Sequence, residues 1–268
     1  MQTITDCVNL AFSDYELPTH VDESKLSGMF TCAGVELSLS FGAFDDAGGL
    51  VGFAVNGTGE YMGSFTAFDV MSAVLPQCRG KGVFHGMLEL MYPRLREAGV
   101  GVYALEVLKT NVRAVRLYES LGLKKRRSFS VLMKDGDTSL CAGESIRTAS
   151  LAGIDITKIT LPGERVPSYE NTPLRLINTA DVYSLIFTGE ISSPAAFVLC
   201  RSDTGYIAHA DCAAGAEDKL QEVLGYALSL KKRIMIKNID ENDGVLIKIC
   251  KSFGCREYAR QYEMAAEL

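Results

Sequence analysis

The feature that most constrains the fold of this 268-residue chain is a repeat that relates its two halves. Residues 105–133 have the pattern of a strand, an asparagine, an amphipathic helix, a glycine and a second strand that ends in methionine, and residues 236–264 follow the same order. The matched pairs are Asn111 with Asn242 and Gly122 with Gly254, with one residue inserted in the second copy. Because each copy must bury an apolar face, the repeat predicts two related domains.

Strands and helices alternate along the first half, which predicts an α/β layered fold. Glycine-rich GTGEYMG at 57–63 is interpreted as a hairpin turn, because its third glycine comes one place too late for a dinucleotide-binding loop. The spacing of apolar residues predicts helices at 6–15 and 22–33, from Phe84 to Gly99, and between the cap Asn111 and the stop Gly122. It predicts strands at 37–44, 50–55, 65–75, 103–108 and 128–133.

Weak periodicity and several prolines and glycines mark residues 138–172 as a connector. The predicted organisation is therefore an N-terminal domain at 1–137, this connector, and a C-terminal domain at 173–268.

A strand that leads through Gln-Cys-Arg-Gly-Lys-Gly (77–82) into a helix is the main chemical signal. Glycines at 80 and 82 allow a ligand to approach the backbone closely. The helix that follows directs its free N–H groups and positive dipole end at the same place, and Arg79 and Lys81 add charge. These features predict a pyrophosphate site without a metal. The spacing differs from that of the phosphate loop of nucleoside triphosphatases.

Charge is unevenly distributed along the chain. From Met1 to Pro76 one basic residue faces ten acidic ones, whereas twelve basic residues face six acidic ones from Gln77 to Asp137. This pattern favours a cation near the first stretch and a polyanion near the second, with ordinary solvated surface as the alternative. The net charge of −6 argues against general nucleic-acid binding.

Cysteine and histidine usage gives no support for a metal site. The eight cysteines form no Cys-x-x-Cys pair and only three histidines are present, so buried, reduced thiols are expected. No apolar run is long enough to cross a membrane, and no signal-peptide pattern begins the sequence, so a cytosolic protein is expected.

Two motifs together resemble the GNAT N-acetyltransferase superfamily. The first is V-x-P-x-x-R-G-K-G from Val74 to Gly82, which includes the Q/R-x-x-G-x-G/A core as Gln77, Gly80 and Gly82. The second is L-E-V-x-x-x-N-x-x-A-x-x-L-Y-x-x-x-G from Leu105 to Gly122. The resemblance covers about 50 residues, and the tandem layout is similar to that of bacterial two-domain members. It implies two GNAT-like α/β domains, each with a mixed, mostly antiparallel sheet flanked by helices and a splayed central strand pair.

The resemblance also implies roles for individual residues. Acetyl-CoA would be the co-substrate: the backbone amides of Cys78, Arg79, Gly80, Lys81 and Gly82 would hold its pyrophosphate, and the gap beside the strand that ends at Val74 would hold its pantetheine arm. Asn111 would contact that arm, and Arg113, in a basic run, is a candidate for the 3′-phosphate, with a solvated surface as the alternative. Tyr118 lies at the position of the usual general acid, which protonates the thiolate as it leaves.

The catalytic base is less well determined. Glu106 and Asp69 lie on the two strands that are expected to splay, and a paired or surface carboxylate is the alternative interpretation of each. The second copy lacks the glycine loop and offers Ile249 or Cys250 opposite Tyr118, so a single site in the first half is expected.

The predicted function is acyl transfer from acetyl-CoA to an amine, and the acidic first 76 residues favour a cationic amine. The alternative is a non-enzymatic acyl-CoA sensor or interaction protein. The presence of Tyr118 argues against this alternative. The sequence is compatible with an oligomer, and it identifies neither the amine nor the acyl group.

Overall fold

The computed structural model describes residues 1–15, 20–137, 145–201 and 203–268. Within these ranges the chain forms two compact units. The first unit comprises Met1–Glu106, Arg113–Lys125 and Met264–Leu268, and the second comprises Val107–Val112 and Arg126–Glu263. No helix in the described ranges is both long and apolar enough to cross a membrane.

The helices are α1 (Gln2–Ala11), α2 (Glu23–Ala33), α3 (Val83–Glu97), α4 (Val112–Ser120), α5 (Pro173–Leu176), α6 (Glu217–Ser229) and α7 (Gly244–Ser252). The strands are β1 (Phe41–Phe44), β2 (Leu50–Tyr61), β3 (Ser64–Val74), β4 (Val102–Leu108), β5 (Lys124–Asp135), β6 (Ile146–Ser150), β7 (Ser184–Glu190), β8 (Ser193–Arg201), β9 (Tyr206–Cys212), β10 (Arg233–Asp240) and β11 (Arg256–Glu267). Short 3₁₀ turns lie between several of them.

The first unit is built on strands in the order β1-β2-β3-β4. β1, β2 and β3 are antiparallel neighbours, and β3 and β4 are parallel. On one face Val55 packs with Val8 of α1 and Leu26 of α2 in a buried cluster. Asn56, the next residue of β2, points to the other face, where its amide approaches the sulfur of Met91 in α3. Helices therefore cover both faces of this sheet.

The second unit has strands in the order β11-β5-β10-β9-β8-β7-β6. β9 and β10 are its parallel pair, whereas β5–β10, β9–β8, β8–β7 and β7–β6 are antiparallel. Consecutive residues of β7 enter different cores: Ile186 packs with α6 and α7, and Leu185 packs with Leu176 of α5. The predicted layered α/β fold, with its mixed sheets, is confirmed.

Most predicted elements form, and the differences have local causes. The helix predicted at 6–15 spans Gln2–Ala11, because Arg79 donates a hydrogen bond to the Ala11 carbonyl oxygen and so binds the helix end. The strand predicted at 37–44 begins only at Phe41, because the Glu36 side chain accepts the Ser38 amide and starts a 3₁₀ turn. The predicted connector also contains a strand, β6.

The hairpin predicted at 57–63 forms with a tighter turn than expected. Most of that segment continues β2, and the reversal is confined to Met62 and Gly63, which both have positive φ angles (50° and 78°). Positive φ at both central residues is typical of the two-residue turns that fit the twist of a hairpin.

The repeat predicted from the sequence is present as two strand–helix–strand segments. α4 and α7 have 9 residues each, and β5 and β11 have 12 each. Gly122 and Gly254 both follow the helix with positive φ angles of 89° and 82°. Counted from the first helical residue, Tyr118 corresponds to Cys250, and the inserted residue lies before the helix.

Candidate active site

An open gap separates the central parallel strands of the first unit. β3 and β4 are paired from Thr66–Val102 to Asp69–Leu105, and no further pair forms in the described chain, although β3 continues to Val74 and β4 to Leu108. This is the predicted splayed strand pair. The gap leaves strand edges without a neighbour, which allows an extended ligand to enter.

A bulge in β3 determines which side chains meet on one side of this gap. In the pairing with β2, Val55 faces Met71 and Asn56 faces Asp69, so Val70 is the extra residue. Side chains alternate along a regular strand, and residues three apart would lie on opposite faces. Because of the bulge, Asp69 and Ser72 lie on the same face, opposite Asn56 and Ala54 respectively.

Tyr118 reaches this face from α4. Its hydroxyl oxygen is 3.4 Å from the Ser72 Oγ atom, and its ring makes an edge contact with Phe84 at a centroid distance of 5.9 Å. Burial raises the pKa of Tyr118 above its ordinary value of 10, and the negative charge of Asp69 raises it further. The phenol therefore stays protonated throughout the neutral pH range, as a proton donor must.

Asp69 is buried at the inner end of the gap, with 7% of its surface exposed. Burial raises the pKa of Asp69 from 3.8 to about 6, and the nearby hydroxyls of Ser72 and Tyr103 lower it in part. Neither carboxylate oxygen has a partner in hydrogen-bonding geometry among the described residues, and the same holds for the hydroxyls of Tyr92 and Tyr103. The rings of these two tyrosines meet at 5.4 Å. A buried carboxyl group with unused hydrogen-bonding capacity is typical of functional sites.

This environment predicts a pH-dependent stability. The pKa of Asp69 is higher in the folded than in the unfolded protein, so its stabilising contribution is complete below pH 3.8 and is lost as pH rises through about 6. Relative to the parent, Asp69→Asn should gain about 2 kcal/mol in free energy of unfolding between pH 4 and pH 7. Urea unfolding at several pH values measures this difference. Asp46→Asn is the control for an exposed carboxylate, and an equal pH dependence in both variants would contradict the assignment.

The loop before α3 has the backbone conformation predicted for an anion site, although it offers fewer amides than expected. Gly80 and Gly82 have φ angles of 76° and 77°, and a Cβ atom at either would meet no atom within 4 Å. The amides of Gly80, Lys81, Gly82 and Val83 have no acceptor in the described part of the chain. By contrast, the amides predicted at Cys78 and Arg79 donate to the carbonyl oxygens of Leu75 and Pro76 in a 3₁₀ turn. The available donors are therefore displaced toward the helix.

The Arg79 side chain binds other protein groups in place of a phosphate. Its guanidinium binds the Asp14 carboxylate at 2.5 and 3.0 Å and the Ala11 carbonyl oxygen at 2.6 Å, and Nε donates to the Val74 carbonyl oxygen at 3.0 Å. These hydrogen bonds hold the pKa of Asp14 below its ordinary value, and the charge of Arg113 lowers it further. Asp14 therefore offsets the positive charge that the sequence suggested for a phosphate at Arg79.

The other predicted residues occupy separate places around the gap. Val74 ends β3, Gln77 and Lys81 are exposed on the loop, and Arg113 is exposed in the first turn of α4. Asn111 directly precedes α4, as predicted from its capping preference. Glu106 lies three residues after Tyr103 on β4, so its side chain points to the face opposite Tyr103. The structure therefore brings Asp69, Ser72 and Tyr118 together and leaves Glu106 on the other face.

Ser72, Tyr92 and Tyr103 were not predicted as site residues from the sequence. Ser72 and Tyr103 occupy strand positions without a motif, and Tyr92 resembles any core aromatic on a helix face. The bulge that aligns Ser72 with Asp69 has no clear signature in the residues 69–72.

The open strand pair, the glycine loop and the tyrosine on α4 define an acyltransferase fold. Residues 4–123 match the model of the acetyltransferase (GNAT) family. The match covers 120 of the 268 residues and includes both motifs, so the resemblance to this family predicted from them is confirmed. No curated protein matches the sequence significantly.

Solved structures extend the similarity to the whole chain. A GCN5-related N-acetyltransferase from Sphaerobacter thermophilus has a TM-score of 0.70 and 13% identity, with coverage of 99% of this chain and 91% of that one. A tandem GNAT protein from the clavulanic acid biosynthesis pathway has a TM-score of 0.66 and 12% identity, covering 99% and 94%. A putative acetyltransferase from Pyrococcus horikoshii has a TM-score of 0.65 and 14% identity, covering 100% and 85%. At these identities the likeness shows the fold, which is that of a tandem GNAT protein.

Proposed function

We propose that the first unit transfers an acetyl or other acyl group from acyl-CoA to an amine, with Tyr118 as general acid. The observation that carries this proposal is the Tyr118 hydroxyl on the face where β3 and β4 separate, in contact with Ser72 on β3. The glycine loop with unused amide donors lies at the end of the same strand. An acyl-CoA has the two features that these elements suit, a pyrophosphate and a long, thin arm.

The residues of this chain would bind acyl-CoA and transfer protons. Acyl-CoA would supply the reactive thioester. The amides of residues 80–83 would hold the pyrophosphate, helped by the positive end of the α3 dipole. When an amine attacks the thioester carbonyl and the carbon–sulfur bond breaks, the Tyr118 phenol would donate its proton to the leaving thiolate.

Asp69 and Glu106 remain the two proposed acceptors of the amine's proton, and their side chains lie on different faces. Asp69 lies on the face of Tyr118, with a pKa raised by burial to about 6, and is suited to proton exchange with Ser72 and Tyr118. Glu106 lies on the opposite face of β4 and is suited to an amine that approaches from that side.

A cationic amine is the proposed acceptor class. The first 76 residues carry ten acidic groups and one basic group. Asp14 is not among the charges available to such a ligand, because Arg79 pairs with it. Asp22 and Glu23 at the start of α2 are exposed. We also propose a cytosolic location, which fits the expected reduced state of the cysteines.

The alternative is a protein that binds acyl-CoA without turnover, and one experiment separates the two. The purified chain is mixed with acetyl-CoA and a panel of polyamines, aminoglycosides, amino acids and peptides, and free thiol release is measured. An enzyme releases thiol with at least one amine well above the rate without amine. Acyl-CoA binding in calorimetry without thiol release from any amine would favour the sensor.

We expect one acyl-CoA per chain. Between β9 and α6 of the second unit, the segment corresponding to the glycine loop has a single glycine, Gly215, and α6 begins with the acidic pair Glu217 and Asp218. A pyrophosphate at that helix start would be repelled by about 1 kcal/mol or more per charge where solvent is partly excluded. Calorimetric stoichiometry tests this prediction. A ratio of two acetyl-CoA to one chain would contradict it.

A further inference from the structure

The parallel strands of the second unit separate in the same way as those of the first. β9 and β10 are paired only at Tyr206–Met235 and Ile207–Ile236. β9 nevertheless continues to Cys212 and β10 to Asp240. This second gap lies at the position that, in the first unit, we assign to acyl-CoA.

Residues 163–171 of the chain, named here the gap segment, run along this second gap. At one end Arg165 binds Asp211, near the end of β9, through both its backbone amide at 2.9 Å and its guanidinium. At the other end Asn171 accepts a hydrogen bond of 2.6 Å from the hydroxyl of Tyr206, at the start of β9. The two ends of the gap segment therefore contact the two ends of β9 in the opposite chain direction, while Arg127 of β5 donates to the carbonyl oxygens of Val166 and Pro167 between them.

The gap segment also contacts β10. The amide of Asn238 donates to the Ser168 hydroxyl at 3.1 Å, and Lys237 forms an ion pair of 2.8 Å with Glu170. Asn238 has a φ angle of 61°, and the pairing of β10 with β5 shifts register between Ile236 and Ile239. A non-glycine residue seldom adopts this conformation. β10 is thus distorted where it meets the gap segment.

A partly buried ion-pair cluster anchors the gap segment. The Arg165 guanidinium lies between the carboxylates of Asp211 and Asp243, and Asp211 is only 1% exposed. Asp243 also caps α7 by accepting the Leu246 amide at 2.9 Å. Two carboxylates around one planar guanidinium make a specific site for arginine, because a lysine could not donate to both in the same way.

Gly163 packs closely against the Asp211 carboxylate. Gly163 has a φ angle of 93°, and a Cβ atom there would overlap the Asp211 carboxylate. Ser168 and Asn171 are 1% and 2% exposed. The gap segment is therefore buried at Ser168 and Asn171, whereas Gly163, Glu164 and Val166 are exposed.

We propose that the second unit is an arginine-peptide binding site whose ligand is the chain's own gap segment, which occupies the strand gap in place of an acyl-CoA. The comparison with acyl-CoA rests on the proposed function of the first unit. The occupancy of the second gap is a property of the second unit alone. The gap segment would sterically exclude acyl-CoA from the second gap. Together with the missing glycine loop, this exclusion accounts for a single acyl-CoA site per chain.

Thiol protection tests the proposal without acyl-CoA, so its outcome is independent of the proposed function. Cys212 is buried at the end of β9, with its sulfur 4.0 Å from the Arg165 guanidinium, and Cys200 is buried in the same core. Parent and Arg165→Ala are exposed to iodoacetamide, and alkylation of each cysteine is followed by peptide mass spectrometry. Loss of the anchor should raise the alkylation rate of Cys212 about tenfold or more while Cys200 stays protected.

Two further variants make the result decisive. Arg147→Ala removes an exposed ion pair of the same unit, with Glu190, and should leave both cysteines protected. Arg165→Lys keeps the charge and loses the contact with both carboxylates, so Cys212 should react at an intermediate rate. If Arg165→Ala does not fold, the alkylation of Cys212 in Arg165→Lys serves as the test instead. Unchanged protection of Cys212 in a folded anchor variant, or equal exposure of Cys212 and Cys200, would overturn the proposal.

Discussion

Replacing Tyr118 with phenylalanine is expected to lower the rate of acyl transfer by about 10²–10⁴-fold, the usual contribution of a positioned general acid. The ring would remain against Phe84, where it now makes its edge contact at 5.9 Å, so the packing should persist. The lost hydroxyl makes one long contact, 3.4 Å from Ser72, and acyl-CoA affinity should hardly change. Thiol release under saturating acetyl-CoA measures the rate, and calorimetry measures the affinity.

The control for removal of a tyrosine hydroxyl is Tyr226→Phe on α6 of the second unit, which should keep parental turnover. Since burial and the charge of Asp69 raise the pKa of Tyr118 above 10, deprotonation of this phenol should not limit the parent rate at any pH below about 10. Parental turnover in Tyr118→Phe, with chemistry shown to be rate-limiting, would remove Tyr118 from the mechanism.

Gly82→Asp is expected to abolish measurable acyl-CoA binding. Gly82 directly precedes α3 with a φ angle of 77°, and its Cβ position faces open space in the protein. An aspartate there would place a side chain and a negative charge where the pyrophosphate is proposed to bind. Repulsion, steric overlap and the cost of the left-handed backbone together exceed several kcal/mol, or at least about a hundredfold in affinity. Calorimetry with acetyl-CoA measures this loss.

Two controls separate the effect of the charge from that of the backbone. Gly82→Ala carries the same backbone cost without the charge and should bind acetyl-CoA more tightly than Gly82→Asp. Gly63→Asp makes the same substitution at the β2–β3 turn, also at positive φ (78°) and also facing open space, and should retain parental affinity. Parental affinity in Gly82→Asp would show that the site lies elsewhere.

Much of the fold could be predicted because its signals are local. The helix predicted from Phe84 to Gly99 follows from apolar residues at helical spacing, and α3 spans Val83–Glu97. The glycines that end α4 and α7 mark positive φ angles that other residues avoid. The repeat was visible because both copies preserve the same strand–helix–strand frame. One error lies where a distant side chain decides the outcome: the end of α1, whose last carbonyl oxygen binds Arg79.

The candidate site was predictable where a motif encodes it. The glycine loop and Tyr118 were both identified from residue spacing, because close backbone approach and a phenolic proton restrict the choice of residue. The partners of those groups were not identifiable. Arg79 resembles a phosphate ligand in the sequence and is an ion-pair partner of Asp14 in the structure, 65 positions away.

The sequence by itself determined the tandem arrangement, the position of the glycine loop and the identity of the tyrosine, since each depends on neighbouring residues or on a repeated pattern. Only the tertiary structure decided that Asp69 shares a face with Ser72 and Tyr118, because the bulge at Val70 appears only in the pairing of β3 with β2. It also decided that residues 163–171 lie along the second strand gap, where Arg165 meets Asp211 and Asp243. These contacts join residues 46 and 78 positions apart, and no local pattern encodes such pairings.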